Sequence, residues 1–396
     1  MPGGIGIDVQ DSRTAIALLE SVAGQRGDLA AVAAASVGDG RRTLVPHART
    51  ATAWGSLAAE AALAELGGTG LREASLLTAW RCDGWDGQFL RGIRRRLDDY
   101  TGQAPLTASS YRLAVCADPA AVSWPAAAEN LESAGLPGAA LADPADALVC
   151  RWLADAGSPP ADGAVLLAVA CGEAYTIARS YAITRSGRGF AVTPGGSSRV
   201  DAGTGALAAA LAADVLARCR PGVPAAAMLA LLDGVSECAA ALRARHGEAV
   251  DWSGPLAEYL FAPVQVSAPA LAKRPEAAEL SDFLRTEAAT LSSGTRPSVV
   301  VAGGPGAVWP LARDELGKLG PVWQSLEPEL DLAVGACWWP LLRGAFTVQQ
   351  RAAVDRPAAL FSAADLDRAN RPDDEHGAGG DPNLKLDLSE VPPWER

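Results

Sequence analysis

Seven cysteines and three histidines are the side chains best suited to metal or redox chemistry, and their spacing favours neither. Cys82, Cys116, Cys150, Cys171, Cys219, Cys238 and Cys337 are scattered and odd in number, and no two lie two or three positions apart. A zinc site needs close ligand pairs, and a secreted disulfide scaffold needs an even, dense set. Buried free thiols in a reducing, cytoplasmic setting are therefore expected. His47, His246 and His376 are too far apart in sequence to suggest a histidine metal centre. Three carboxylates at turns are more informative. Asp8 closes Ile5-Gly-Ile-Asp8, Asp143 precedes Pro144, and Glu173 follows Cys171-Gly172. Asp8 reads as a partner of a hairpin backbone, Asp143 as a turn residue and Glu173 as a solvated turn carboxylate, each set against a ligand role considered below. Gly303-Gly304 similarly reads as a strand-to-helix turn.

The charge balance narrows the partners. The chain has 396 residues with a formal net charge of −12, so a phosphate-backbone partner is not expected. The cluster Arg91-Gly-Ile-Arg-Arg-Arg96 reads as a solvated helix face before it reads as an anion site. With 49% hydrophobic and 20% charged residues the composition is that of a globular chain, large enough for two or three domains or one bilobed one. No basic stretch leads into an apolar core at the N-terminus, and no apolar run approaches the ~20 residues of a membrane span.

The elements that would position these residues alternate. A hairpin is expected from Ile5–Val9 and Thr14–Leu19. A helix follows over 56–67 with Ser56 as N-cap, then a strand over 111–117 and helices over 124–134 and 148–156. After a Gly/Pro-rich break at 157–163 come strands at 164–170 and 174–182, and helices at 205–219 and 225–245. A buried strand at 298–302 and helices at 309–319 and 332–339 complete the pattern. It implies an α/β fold with at least two sheets, and no repeat of 20–50 residues stands out. From Ala363 onward nine acidic residues stand against four basic ones and apolar periodicity is lost, the composition of a disordered acidic tail. Within it, 383–394 alternates apolar and polar residues. Leu384, Leu386, Leu388, Val391 and Trp394 suit a peptide that docks on a protein partner or folds back on its own domain.

Six short pieces, in order, resemble the nucleotide-binding domain of the seventy-kilodalton heat-shock chaperones, within the actin-like ATPase superfamily. They are Ile5-Gly-Ile-Asp8 with the turn Asp11-Ser-Arg-Thr14; Ala53-Trp-Gly-Ser-Leu-Ala-Ala-Glu-Ala-Ala62; and Ala114-Val-Cys-Ala-Asp-Pro119 followed by Ser133-Ala-Gly-Leu136 and Leu141-Ala-Asp-Pro-Ala-Asp-Ala147. The others are Val165 to Tyr175, Val299-Val-Val-Ala-Gly-Gly304 and Glu327-Pro-Glu-Leu-Asp-Leu-Ala-Val-Gly-Ala336. The resemblance covers about 4–345. It implies an actin-like fold of two lobes, each with a mixed sheet and flanking helices: lobe I over 1–160, lobe II over 161–330, a helix at 331–347 returning to lobe I, and the tail at 348–396. It also implies ATP or ADP with magnesium between the lobes. Ser12, Arg13, Thr14, Gly172, Glu173, Gly303 and Gly304 would lie around the nucleotide. Asp8 would hold the magnesium through water, and Asp8 and Asp143 would be the catalytic acids of an active enzyme.

The departures point away from activity. Gln10 stands where the family has glycine, adding bulk where a positive φ would be costly. The second turn has Val169, Cys171, Gly172, Glu173 and Ala174 in place of Asp-x-Gly-Gly-Gly-Thr. Alanines replace the basic residues near Ser236–Arg243, and Pro305-Gly-Ala307 replaces Ser-x-Arg. Losing one preorganised electrostatic group commonly costs ~10²–10³ in rate, so the loss of several implies a degenerate cleft. The expected function is regulatory or scaffolding, through protein contacts. The alternative is a slow ATP-hydrolysing switch or chaperone-like ATPase. The family's peptide-binding domain has no counterpart in the chain. Deleting 363–396 is expected to leave the melting temperature unchanged; a loss of several degrees in calorimetry would place the tail on the folded domain.

Overall fold

A computed structural model describes residues 3–23, 29–66, 82–102, 111–155, 161–186, 189–246, 248–291 and 296–346. The tail at 348–396, with its docking segment, lies outside the described residues. The first sheet is built from β1 (Gly3–Val9), β2 (Arg13–Ala23), β3 (Leu29–Ser36), β4 (Leu44–Pro46), β5 (Tyr111–Cys116) and β6 (Ala140–Ala142). Its order is β3-β2-β1-β5-β6, with β4 paired to β2; the β1–β2 and β2–β3 pairs are antiparallel, and β5 and β6 run parallel to β1. Helices α1 (Gly55–Leu66), α2 (Gly87–Thr101), α3 (Trp124–Ser133) and α4 (Pro144–Asp155) accompany it.

The second half repeats this plan. β7 (Val165–Cys171), β8 (Thr176–Ser186) and β9 (Gly189–Val200) form an antiparallel meander. Then come α5 (Gly205–Ala217), α6 (Ala225–Ala244), the short pair β10 (Val250–Asp251) and β11 (Gln265–Val266), α7 (Ala268–Ala272) and α8 (Pro275–Leu291). β12 (Val299–Gly303), α9 (Pro310–Leu319), β13 (Val322–Trp323) and α10 (Asp331–Leu342) close the chain. The sheet order is β13-β12-β7-β8-β9, with β12 parallel to both β7 and β13. Each half is thus a three-stranded meander followed by strand, helix, strand, helix, and its first strand is central. The repeat is one of topology on the scale of a lobe, which a search for short sequence periods does not detect.

The last helix of each half crosses to the other. α4 packs under the second sheet, where Ala145, Leu148 and Val149 share a core with Leu166, Ala168 and Ala170. α10 packs under the first, where Ala333, Val334 and Cys337 join Ala15, Ala17 and Leu19. Both helices are buried over most of their surface, as apolar residues all round a helix require. They fit between the sheets because small residues line their crossings. A Cβ on Gly335 would overlap the carbonyl of Ala147, and one on Gly6 would lie 2.6 Å from the Cys337 nitrogen. On the other face of β1, Ile5, Ile7 and Val9 pack with Phe89, Leu90 and Ile93 of α2.

Most expected elements are present, with instructive shifts. α1 begins at Gly55, so Ser56 is not its cap; the Asp39 carboxylate accepts from the Ser56 backbone N–H at 2.7 Å instead. α4 starts at Pro144 rather than 148, with Asp143 Oδ1 accepting from the Ala145 N–H at 2.9 Å. α2 was anticipated only as a helix face at 91–96, and α8 and the strands β3 and β9 were not anticipated. Replacing Gly335 by Ala is expected to destabilise by about 3 kcal/mol, because backbone must move at the helix crossing. The exposed Gly317 of α9 has open space around its Cα. There Gly→Ala should stabilise by about 0.5–1 kcal/mol. Denaturant titrations of the two variants check the contrast.

Candidate functional site

The parallel strands β1, β5, β7 and β12 end between the two sheets, which is where open α/β sheets place ligands. What these ends hold is mostly each other. The β1–β2 turn meets the β7–β8 turn through Glu173. Its carboxylate accepts from the Ser12 backbone N–H at 2.7 Å, from the Ser12 hydroxyl at 2.8 Å and from Arg13 Nε at 2.6 Å. Gln10 extends the contact inward. Its Oε1 accepts from the Glu173 backbone N–H at 3.1 Å, and its Nε2 donates to both Asp8 oxygens at 2.8 and 2.9 Å. Asp8, Gln10 and Glu173 are all buried. A carboxylate on one turn thus satisfies the donors of the other, and a carboxamide ties that carboxylate's own backbone to a second acid.

The two acids respond in opposite senses. Burial, opposed in part by Gln10 and reinforced by the Glu173 charge, pushes the Asp8 carboxyl up to about 7. Burial acts to raise Glu173 too, but the Arg13 guanidinium and the Ser12 donors outweigh it and hold its carboxyl below the ordinary value. Burial, followed by the Asp8 charge, pushes both the Tyr175 phenol and the Cys116 thiol well up, so neither is an accessible nucleophile.

Further bonds close the seam. Asp118, after β5, accepts from Arg199 Nε of β9 at 2.8 Å. Arg42 pairs with Asp233 of α6. Ala58, Ala59 and Leu63 of α1 lie in the same apolar core as Met228, Leu229 and Val235 of α6. Between the first turn and α6 remains a cavity of about 10 Å³, lined by Ser12, Arg13, Arg42, Leu44, Pro46, Leu229 and Asp233. That is room for about one water molecule.

The residues singled out from the sequence separate accordingly. Ser12, Arg13 and Glu173 come together, but as partners of one another. Glu173 is not the solvated turn carboxylate of the simpler reading, since only 7% of its surface is exposed. Thr14 faces the other way: its fully buried hydroxyl is 2.8 Å from His47 Nε2, inside the first lobe. Gly172 and Gln10 touch, so a Cβ on Gly172 would lie 2.9 Å from Gln10 Oε1. The Gln10 backbone is not in the left-handed region, so the strain expected there does not arise. Gly303 packs on Leu148 and Asp331. Gly304 has φ near +90°, and a Cβ there would lie 2.6 Å from the Cys171 carbonyl oxygen. This glycine pair lets the β12 turn sit directly on the end of β7. Asp143 is turned to β8, where Arg179 Nη2 donates to it at 2.8 Å, beside the bond from the Tyr181 hydroxyl to Asp146 at 2.5 Å. Arg199 escaped notice because β9 was not anticipated. Asp118 lay inside a quoted piece without a role. Among the described residues no group of three or more His, Cys, Asp or Glu side chains could hold a metal ion.

The chain matches no protein-family model, and no curated protein matches its sequence.

The Asp8 geometry sets a pH dependence. Between its ordinary value of 3.8 and about 7, the folded state retains a proton that the unfolded chain has lost. Stability therefore falls as the pH rises through that window and levels off above it. In Asp8→Asn this slope is absent. The stability of the variant relative to the parent is expected to grow by about 4 kcal/mol from pH 4 to pH 8. Asp331 and Asp146, raised to about 7 and about 6 mainly by burial, titrate in both proteins and cancel in the comparison. Parallel denaturation profiles across that range would remove Asp8 as the source.

Proposed function

We propose that the chain has the two-lobed actin-like architecture and works without nucleotide, as a regulatory or scaffold protein. The duplicated meander with crossed helices supports the architecture. One observation carries the function: the Glu173 carboxylate accepts three hydrogen bonds from the turn whose donors would otherwise face a phosphate.

The residues present do not fit magnesium and a nucleoside triphosphate. Both Asp8 oxygens accept from Gln10, so the acid expected to order metal-bound water is already bonded to protein. A phosphate at the first turn would have to displace Glu173 from Ser12 and Arg13. Breaking one partner from such a buried pair costs about 3–5 kcal/mol. The glycine turn after β12 packs directly against Cys171 at the end of β7 through Gly304 and Gly306. Opening the lobes would also part α1 from α6 and Asp118 from Arg199. No hydrolytic step is derived through this cleft.

Partner contacts then fall to the outer faces of the lobes and to Leu384, Leu386, Leu388, Val391 and Trp394 of the tail. The formal charge of −12 favours protein over nucleic acid as the partner class. The competing reading, a slow ATPase, has one observation on its side: Asp8 stands at the end of β1 with a carboxyl near 7, suited to proton transfer at neutral pH. The two readings separate in one experiment. Millimolar ATP or ADP is expected to give no magnesium-dependent rise in melting temperature, and phosphate release is expected to match a purified blank. A ligand at 100 times its Kd would stabilise by about 2.7 kcal/mol, an easily seen shift. Turnover that disappears in Asp8→Asn would establish the ATPase instead.

A further inference from the structure

A second and larger cavity, of about 140 Å³, lies between the end of α6 and the start of α9. Arg243, His246, Pro310, Arg313 and Asp314 line it. Its charge arrangement is unusual. Arg243 donates Nη1 to the neutral Gln324 Oε1 at 2.7 Å, and Gln324 is itself anchored by donating Nε2 to the Ala307 carbonyl at 2.5 Å. Arg243 is thus held in place without being neutralised. Neither Arg243 nor Arg313 has an ion-pair partner among the described residues. The two cations are close enough that, after burial, the Arg313 charge is the chief cause holding the Arg243 guanidinium below its ordinary value. Two guanidiniums without ion-pair partners that face one cavity repel each other, and an anion between them relieves that repulsion.

The remaining neighbours set the sign. His246 adds a donor at the rim. Pro310 is the first residue of α9, so the cavity also meets the positive end of that helix. Against this stand Asp314, which shares the lining, and Glu329, whose carboxyl is raised mainly by burial and which feels Arg243. Lining charges of two arginines against one aspartate leave an excess of positive charge, and paired guanidiniums are the side chains best matched to tetrahedral oxyanions. We propose that this cavity binds a phosphate dianion, either free or as the end group of a small organic phosphate, between Arg243 and Arg313. The proposal concerns a site distinct from the Glu173 contact and does not rest on how that contact is read.

Calorimetric titration of the full chain at pH 7.5, without magnesium and at ionic strength held constant with sodium chloride, tests it. Inorganic phosphate is expected to bind saturably. Arg313→Glu, an exposed substitution that leaves packing intact, should weaken it by about tenfold or more, and Arg243→Gln similarly. Asp314→Asn should tighten it several-fold. Glycerol phosphate distinguishes the sources: about tenfold tighter binding than inorganic phosphate assigns the cavity to an organic phosphate, and equal binding assigns it to the free ion. Unsaturable heats, the same response to chloride, or undiminished binding in Arg313→Glu would overturn the proposal. A response that is absent in this titration and appears only in a parallel one with magnesium added would overturn the proposal and trace the response to the cleft between the sheets, so the two sites fail independently.

Discussion

An ionised carboxylate under the surface has to be met by donors, and at Glu173 those donors come from the opposite lobe. Leaving such a group unpaired costs several kcal/mol, so the β7–β8 turn cannot move far from Ser12 and Arg13 while the protein stays folded. This one requirement fixes the distance between the two central strands at their ends. Gln10 then follows, because it reaches both the Glu173 backbone and Asp8. The pairing is not complete: Arg13 Nη1 is buried with no partner among the described residues. The shortfall is tolerable because Nε of the same guanidinium is bonded to Glu173 at 2.6 Å.

The rest of the seam is consistent with lobes that stay together. Crossed helices exchange the two halves of the core, so neither sheet has a complete apolar face without the other's last helix. Helices α1 and α6 share an apolar core, and charged pairs Asp118–Arg199 and Arg42–Asp233 bracket it. Hinge motion would expose that surface and strand four charges. The closed seam is thus part of what makes the fold stable.

How much of this the sequence conveyed depended on the range of the interaction. Strand ends and helix starts governed by local rules were legible: Ile5–Val9 with its return strand, the helix closed by Gly135, and Val299–Gly303 ending in two glycines. Ser56 was misjudged as a cap because the true acceptor, Asp39, is far away in sequence and close only after folding. Helix α2 was partly hidden by charge. Its Arg91, Arg94, Arg95 and Arg96 read as a solvated helix face, but the bounds were not legible, because the stripe of Phe89, Leu90, Ile93 and Leu97 that buries it is only four residues. At the site, Gln10 and Glu173 looked unrelated. The two residues are halves of one contact, and nothing in either local sequence announces the other across 163 positions.

The same contact bears on what the raised Asp8 carboxyl means. Two nearby acids driven apart in proton affinity are the usual mark of an acid–base pair. That inference depends on where the perturbing groups point. In a catalytic pair, one acid faces the substrate's space. Asp8 instead gives both oxygens to Gln10, and Glu173 gives both oxygens to Ser12 and Arg13. Their opposite shifts come from burial on one side and a guanidinium on the other. Under the proposed regulatory reading, the same pattern follows from closing the cleft and not from chemistry in it.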